Sequence, residues 1–85
     1  MKVQLFGAAC AACEKMKKHV ETAVLELRIP CDLEHVTRIA DMIEMGVTQT
    51  PTLIVNGEVV TEGRVLEVEA IKRTLVAAAA SEKQP

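Results

Sequence analysis

Two cysteines separated by two alanines, Cys10-Ala11-Ala12-Cys13, fall where the pattern of the chain changes. Before them, Val3-Gln4-Leu5-Phe6 has the apolar character of a short buried strand, and Gly7-Ala8-Ala9 loosens the backbone after it. From Ala11 onward a helical period sets in. Cys13, Met16, Val20, Ala23, Val24 and Leu27 recur at spacings of three and four and share one face. Glu14, Lys15, Lys18, Glu21, Thr22 and Glu26 fall elsewhere, with Glu14 and Lys18 at a favourable i,i+4 spacing, and Pro30 stops the helix. Cys31-Asp32-Leu33-Glu34-His35-Val36 then alternates as a second strand. Strand, helix and strand form a βαβ unit, whose strands pair in parallel through a right-handed crossover.

The second half brings antiparallel pairing. Thr37 is expected to cap a short helix with Ile39, Met42 and Ile43 on its buried side, and Gly46 suits the left-handed position that ends it. Thr50-Pro51 precedes the apolar run Thr52-Leu53-Ile54-Val55. Asn56-Gly57 is a strong two-residue hairpin signal, after which Glu58-Val59-Val60-Thr61 returns as the partner strand. Beyond Gly63 the spacing predicts a last helix from about Glu67 to Ala80 with Val68, Ile71 and Leu75 facing inward. Glu67 and Glu69 open it and Lys72 and Arg73 follow, which suits the helix dipole. The order β-α-β-α-β-β-α specifies an α/β fold: a four-stranded mixed sheet, strand order 2-1-3-4, with helices on both faces. One domain is expected over residues 1–80, with residues 81–85 as a frayed tail.

Composition narrows the chemistry. The chain has 85 residues, a formal charge of −2, and Phe6 as its single aromatic residue, so little is available to stack bases or neutralise phosphates. No nucleic-acid partner is expected. No apolar run reaches the roughly 18 residues needed to span a bilayer. The apolar start is too short for a secretory signal and runs into charged Glu14-Lys15, so a cytoplasmic protein without a membrane partner is expected. Three cysteines are too few, and odd in number, for a disulfide scaffold. The pair at 10 and 13 points instead to redox or metal chemistry.

At a helix N-terminus, the Cys10 thiolate would face unpaired backbone N–H groups and the positive end of the dipole. Such a placement lowers a thiol pKa from about 8.5 into the range of roughly 3.5–7.5. Glu14 opposes this with its charge, and Lys15, Lys17 and Lys18 partly offset Glu14; the dipole is expected to dominate because it acts at first-turn range. Cys13 lies one turn later on the buried stripe. A protonated, shielded thiol in that position is a resolving cysteine. Cys10 would attack a substrate disulfide, and Cys13 would then attack the sulfur of Cys10 and release the reduced substrate.

The run Gln49-Thr50-Pro51-Thr52-Leu53-Ile54-Val55-Asn56-Gly57-Glu58-Val59-Val60, then Gly63, together with the upstream dithiol, resembles the thioredoxin fold family. The short length, and Gly7 opening directly into the motif, are similar to its small glutaredoxin-like "redox-active disulfide" members. The resemblance covers Val3 to Val76. It implies a cis Pro51 facing the dithiol, and a substrate segment held by the backbone of Thr50 alongside Ala11 and Ala12. It also implies protein disulfide substrates, an upstream disulfide reductase, no bound cofactor and a monomer. Several positions depart from the family. Ala11-Ala12 replaces Gly-Pro or Pro-Tyr, which brackets the redox potential only to roughly −180 to −270 mV. Gln4 stands where thioredoxins carry a buried acid that helps the second cysteine lose its proton, and the flanking tryptophans are absent. Thr50 stands where glutaredoxins usually place Val, which weakens the case for glutathione as a partner.

Soft-metal or arsenic chaperoning by the same two thiolates is the alternative, since Ala9-Cys10-Ala11-Ala12-Cys13 imitates the loop of heavy-metal-associated domains. Against it, Ala8 stands where that family has Met, and the expected order ends in a helix rather than a strand. His19 would lie about 180° around the helix from Cys10 and roughly 13 Å along it. Cys31, at the start of the second parallel strand, would sit on the order of 15 Å from the dithiol, beyond disulfide reach. It is read as structural. His35 is expected to be solvated or satisfied, Met42 and Met45 to pack in the core, and Ala77-Ala78-Ala79-Ala80 to serve as good helix former.

Overall fold

A computed structural model describes residues 1–8 and 10–82. It contains β1 (Lys2–Phe6), α1 (Ala11–Leu27), β2 (Asp32–Val36), α2 (Ile39–Glu44), β3 (Thr52–Val55), β4 (Glu58–Glu62) and α3 (Val68–Glu82). The strands form one sheet in the order β2-β1-β3-β4. β1 and β2 are parallel, and β3 is antiparallel to both β1 and β4. The βαβ unit and the hairpin thus share β1 as their common strand. Asn56 and Gly57 both take positive φ, 51° and 84°, which is what a tight hairpin turn of this type requires.

Alternation along β1 divides the sheet into two unequal faces. Val3 pairs with Val55 and Leu5 with Leu53, and all four side chains point to the face covered by α1 and α3. There they meet Met16, Val20 and Ala23 of α1 and Ile71 and Leu75 of α3 in the main core. Burial of each large apolar side chain supplies about 1.5–3 kcal/mol, so this layer dominates stability. Lys72 of α3 bonds Glu26 of α1 at 2.9 Å across the outer side of the helix pair, and that bond raises the pKa of the ammonium.

The opposite face carries Gln4 and Phe6. Phe6 and its partner Thr52 are buried. The short α2 lies over this side, where Asp41, Glu44 and Met45 line a shallow cavity with Glu34 and Val36. It covers little else. Met42 is buried, but Ile39 and Ile43 are 69% and 71% exposed and Met45 is half exposed, contrary to the expectation that they pack inward. Six residues give less than two turns, and one side chain suffices to anchor them. Nor does Thr37 cap this helix. The N-cap is Arg38, which makes no side-chain capping bond.

Other boundaries also shift. α1 ends at Leu27 with Arg28 in the left-handed conformation, φ 54°, before Pro30 is reached. Its expected Glu14–Lys18 ion pair is not among those formed by the described residues. α3 runs to Glu82, two residues past the expected helix end at Ala80; Lys83 to Pro85 lie outside the described residues.

Candidate active site

The first helix begins at the dithiol. Cys10 is the N-cap residue of α1, with extended backbone (φ −138°, ψ 155°). Its sulfur accepts a hydrogen bond from the backbone N–H of Cys13 at 3.1 Å, and its carbonyl accepts from the N–H of Glu14 at 3.0 Å. Sulfur thus replaces the oxygen of a conventional Ser or Asp cap. Cys10 and Cys13 are joined by a disulfide, with Cα atoms 5.2 Å apart. The two cysteines differ sharply in environment. Cys10, Ala11 and Ala12 are exposed, whereas Cys13 is 4% exposed and belongs to the buried stripe of the helix.

Gly7 forms the wall behind Cys13. Its N–H donates to the carbonyl of Val36 at 3.0 Å, and its carbonyl meets Nε2 of His35 at 3.1 Å, so β2 holds it from both sides. A Cβ on Gly7 would stand 2.7 Å from the sulfur of Cys13 and 3.8 Å from Cα of Pro51. The end of β1, the second cysteine and the proline therefore meet at one point.

The Thr50–Pro51 peptide bond is cis. The buried hydroxyl of Thr52 donates to the carbonyl of Gln49 and closes the turn around it. The carbonyl of Pro51 accepts from the N–H of Gly63 at 2.8 Å. Thr50 is exposed, and its own N–H and C=O have no partner among the described residues. Exposed, unpaired backbone of this kind is what an extended segment uses to add itself to a sheet.

The remaining candidates lie elsewhere. Cys31 is free, half-buried, and at the opposite end of β2, where its sulfur lies 3.9 Å from the thioether of Met1. Burial pushes its thiol pKa up; the N-terminal ammonium lowers it and Glu82 raises it further. Nδ1 of His19 bonds the carbonyl of Leu66 at 2.7 Å and so braces the loop before α3. Gln4 is buried, and its amide donates to the carboxylate of Glu34 at 2.9 Å.

Comparison with known proteins agrees with this geometry. A thioredoxin domain model matches residues 1–76. The chain belongs to the thioredoxin family. It is 39% identical over 75 residues to a thioredoxin of Methanothermobacter thermautotrophicus, covering 88% of this chain and 97% of that one. To a thioredoxin of Methanocaldococcus jannaschii it is 33% identical over 73 residues, covering 86% and 84%. Thioredoxin 1 from the thermophilic eubacterium Thermosipho africanus TCF52B superposes with a TM-score of 0.69 at 17% identity, over 99% of this chain and 100% of that one. A malarial protein superposes at 0.64 and 16%, over 98% and 97%. These two share the fold. The chain is a dithiol–disulfide oxidoreductase, and its described elements end in helix α3 rather than in the strand that closes a heavy-metal-associated domain. Protein disulfides are the general substrate class of such a family, and a disulfide reductase its general partner.

The close approach of Gly7 to Cys13, and the loop tied to Pro51 through Gly63, were not anticipated from the sequence. The one local signal for the second was Gly63 itself, which has φ 71°.

Proposed function

We propose that Cys10 is the attacking nucleophile, Cys13 the resolving thiol, and Thr50 and Pro51 with Ala11 and Ala12 the platform for the substrate. The observation that carries this reading is the asymmetry of the pair. The exposed Cys10 sulfur receives an amide hydrogen bond at the start of a 17-residue helix, while the Cys13 sulfur is buried against Gly7. In the reduced protein, the amide bond and the helix dipole favour the Cys10 thiolate. That thiolate attacks one sulfur of a protein disulfide, and the other sulfur leaves as a thiolate. Cys13 loses its proton and attacks the Cys10 sulfur, so the second substrate sulfur departs. Two electrons pass to the substrate, and the Cys10–Cys13 disulfide is restored to the dithiol by an upstream reductase.

Ala11 and Ala12 add no charge and no bulk, which leaves the approach to Cys10 open. The unpaired backbone of Thr50 supports docking of an extended segment across it. On this reading the protein works as a monomer in the cytoplasm, with residues 1–80 as the catalytic domain. One exchangeable pair plus a single half-buried thiol fits a reducing compartment. The test is multiple-turnover reduction of a protein disulfide by the reduced protein with a regenerating dithiol, read by thiol release. Turnover above the regenerating dithiol alone supports the reading. Turnover equal to it overturns the assignment.

A further inference from the structure

The loop between β4 and α3 is fastened at one end to Pro51 of the site and at the other to the body of α1. The N–H of Gly63 holds the carbonyl of Pro51 at 2.8 Å. Three residues on, the N–H of Leu66 contacts the thioether of Met16 at 3.4 Å, and its carbonyl meets Nδ1 of His19 at 2.7 Å. Met16 and His19 belong to the same helix as the dithiol. The segment therefore bridges from the cis-proline to α1, and Arg64 stands in the span, directly after the residue bonded to Pro51.

Arg64 is exposed and forms no ion pair or side-chain hydrogen bond among the described residues. Other charges on these segments that form no ion pair among the described residues include Glu62, two residues before it on β4, Glu67, three residues after it in the same loop, and Glu14 and Lys15 in the first turn of α1. The carbonyl of Pro51 is already taken by Gly63, whereas the N–H and C=O of Thr50 are open. The Gly63–Pro51 bond ties the residue before Arg64 to the residue after Thr50, so Arg64 adjoins the tie that borders the open backbone.

We infer that Arg64 is a specificity residue that selects disulfides in protein segments carrying an acidic side chain close to the half-cystine. The inference rests on the oxidoreductase reading and names its substrate class. A guanidinium presents a fixed fork of donors that matches a carboxylate, and an acid on the incoming segment meets it without first breaking an internal ion pair. The effect belongs chiefly to encounter and docking, not to sulfur exchange.

The test uses three peptides, each with one disulfide, identical except for Glu, Gln or Lys two residues from the half-cystine, and glutathione disulfide as a small-molecule carboxylate. Second-order rate constants are measured with the reduced full chain at low and at molar salt. The expected order is Glu, Gln, Lys, with about a two- to fivefold step between neighbours at low salt and near-equality at molar salt. Arg64→Gln should bring the Glu-to-Lys ratio close to one, Arg64→Glu should invert it, and Arg64→Lys should keep its direction. The same ratio in the parent and in Arg64→Gln overturns the inference, as does the absence of any charge order in the parent. A dependence on Arg64 seen with glutathione disulfide and not with the peptides overturns the protein-segment assignment. Reduction of the Gln peptide shows that the dithiol chemistry stands independently of these outcomes; failure with every substrate would remove both readings.

Discussion

Gly7 and Cys13 are in closer contact than any residue with a Cβ at position 7 would allow: a Cβ on Gly7 would fall 2.7 Å from the Cys13 sulfur and 3.1 Å from its Cβ. The φ of Gly7 is not positive, so alanine would suit the backbone. What it would not suit is the space. Cys13 is buried and cannot swing away. Gly7→Ala should therefore destabilise the protein by about 1–3 kcal/mol, as overpacking does. It should also alter the equilibrium between dithiol and disulfide, because the displaced atom is one of the exchanging sulfurs. Denaturant unfolding in both redox states, with a redox titration, checks this. Unchanged midpoints in all three would show that the site gives way freely.

The two faces of α2 should respond oppositely. Ile43 is 71% exposed, so Ile43→Lys should change stability by no more than about 0.5 kcal/mol. Met42 is 6% exposed, and Met42→Ala should cost about 2 kcal/mol or more. Urea midpoints of the two variants decide the matter. A larger loss from Ile43→Lys would mean that α2 is turned about its axis relative to the sheet.

Cys31 should be the slow thiol. Burial favours its neutral form, so in the folded protein it ionises at higher pH than in the unfolded chain. The folded state then holds the proton longer, and the contribution of Cys31 to stability declines as pH rises above the unfolded thiol value of about 8.5. Iodoacetamide labelling of the reduced protein across pH, resolved by peptide mass, should modify Cys10 first and Cys31 only at higher pH. Equal titration of both would contradict the assigned environments.

The order of elements was legible because each carries its own local signal. The 3.6-residue period of α1, the Asn56-Gly57 turn and the apolar run of β3 depend on nearby residues only. The site was legible for the same reason, since Cys10, Cys13, Thr50 and Pro51 occupy two short motifs. What could not be read was the weight each face would bury. Ile39 and Ile43 carry the same apolar signal as Met42, and only the three-dimensional extent of the sheet leaves them outside. Contacts between distant segments were equally silent: Gln4 with Glu34, His35 with Gly7, and Leu66 with Met16 and His19. Arg28 ends α1 in a conformation that residue identity does not favour, two positions before the proline that marked the expected stop.

The division of labour between the two sulfurs is tested most directly by trapping. Cys10→Ser and Cys13→Ser variants, each with Cys31→Ala, are incubated with a protein disulfide and analysed by non-reducing mass spectrometry. Cys13→Ser should accumulate a covalent adduct through Cys10 in near-stoichiometric yield, and Cys10→Ser should form almost none. Comparable adducts in both variants, or an adduct only through Cys13, would contradict the assignment of Cys10 as the attacking group.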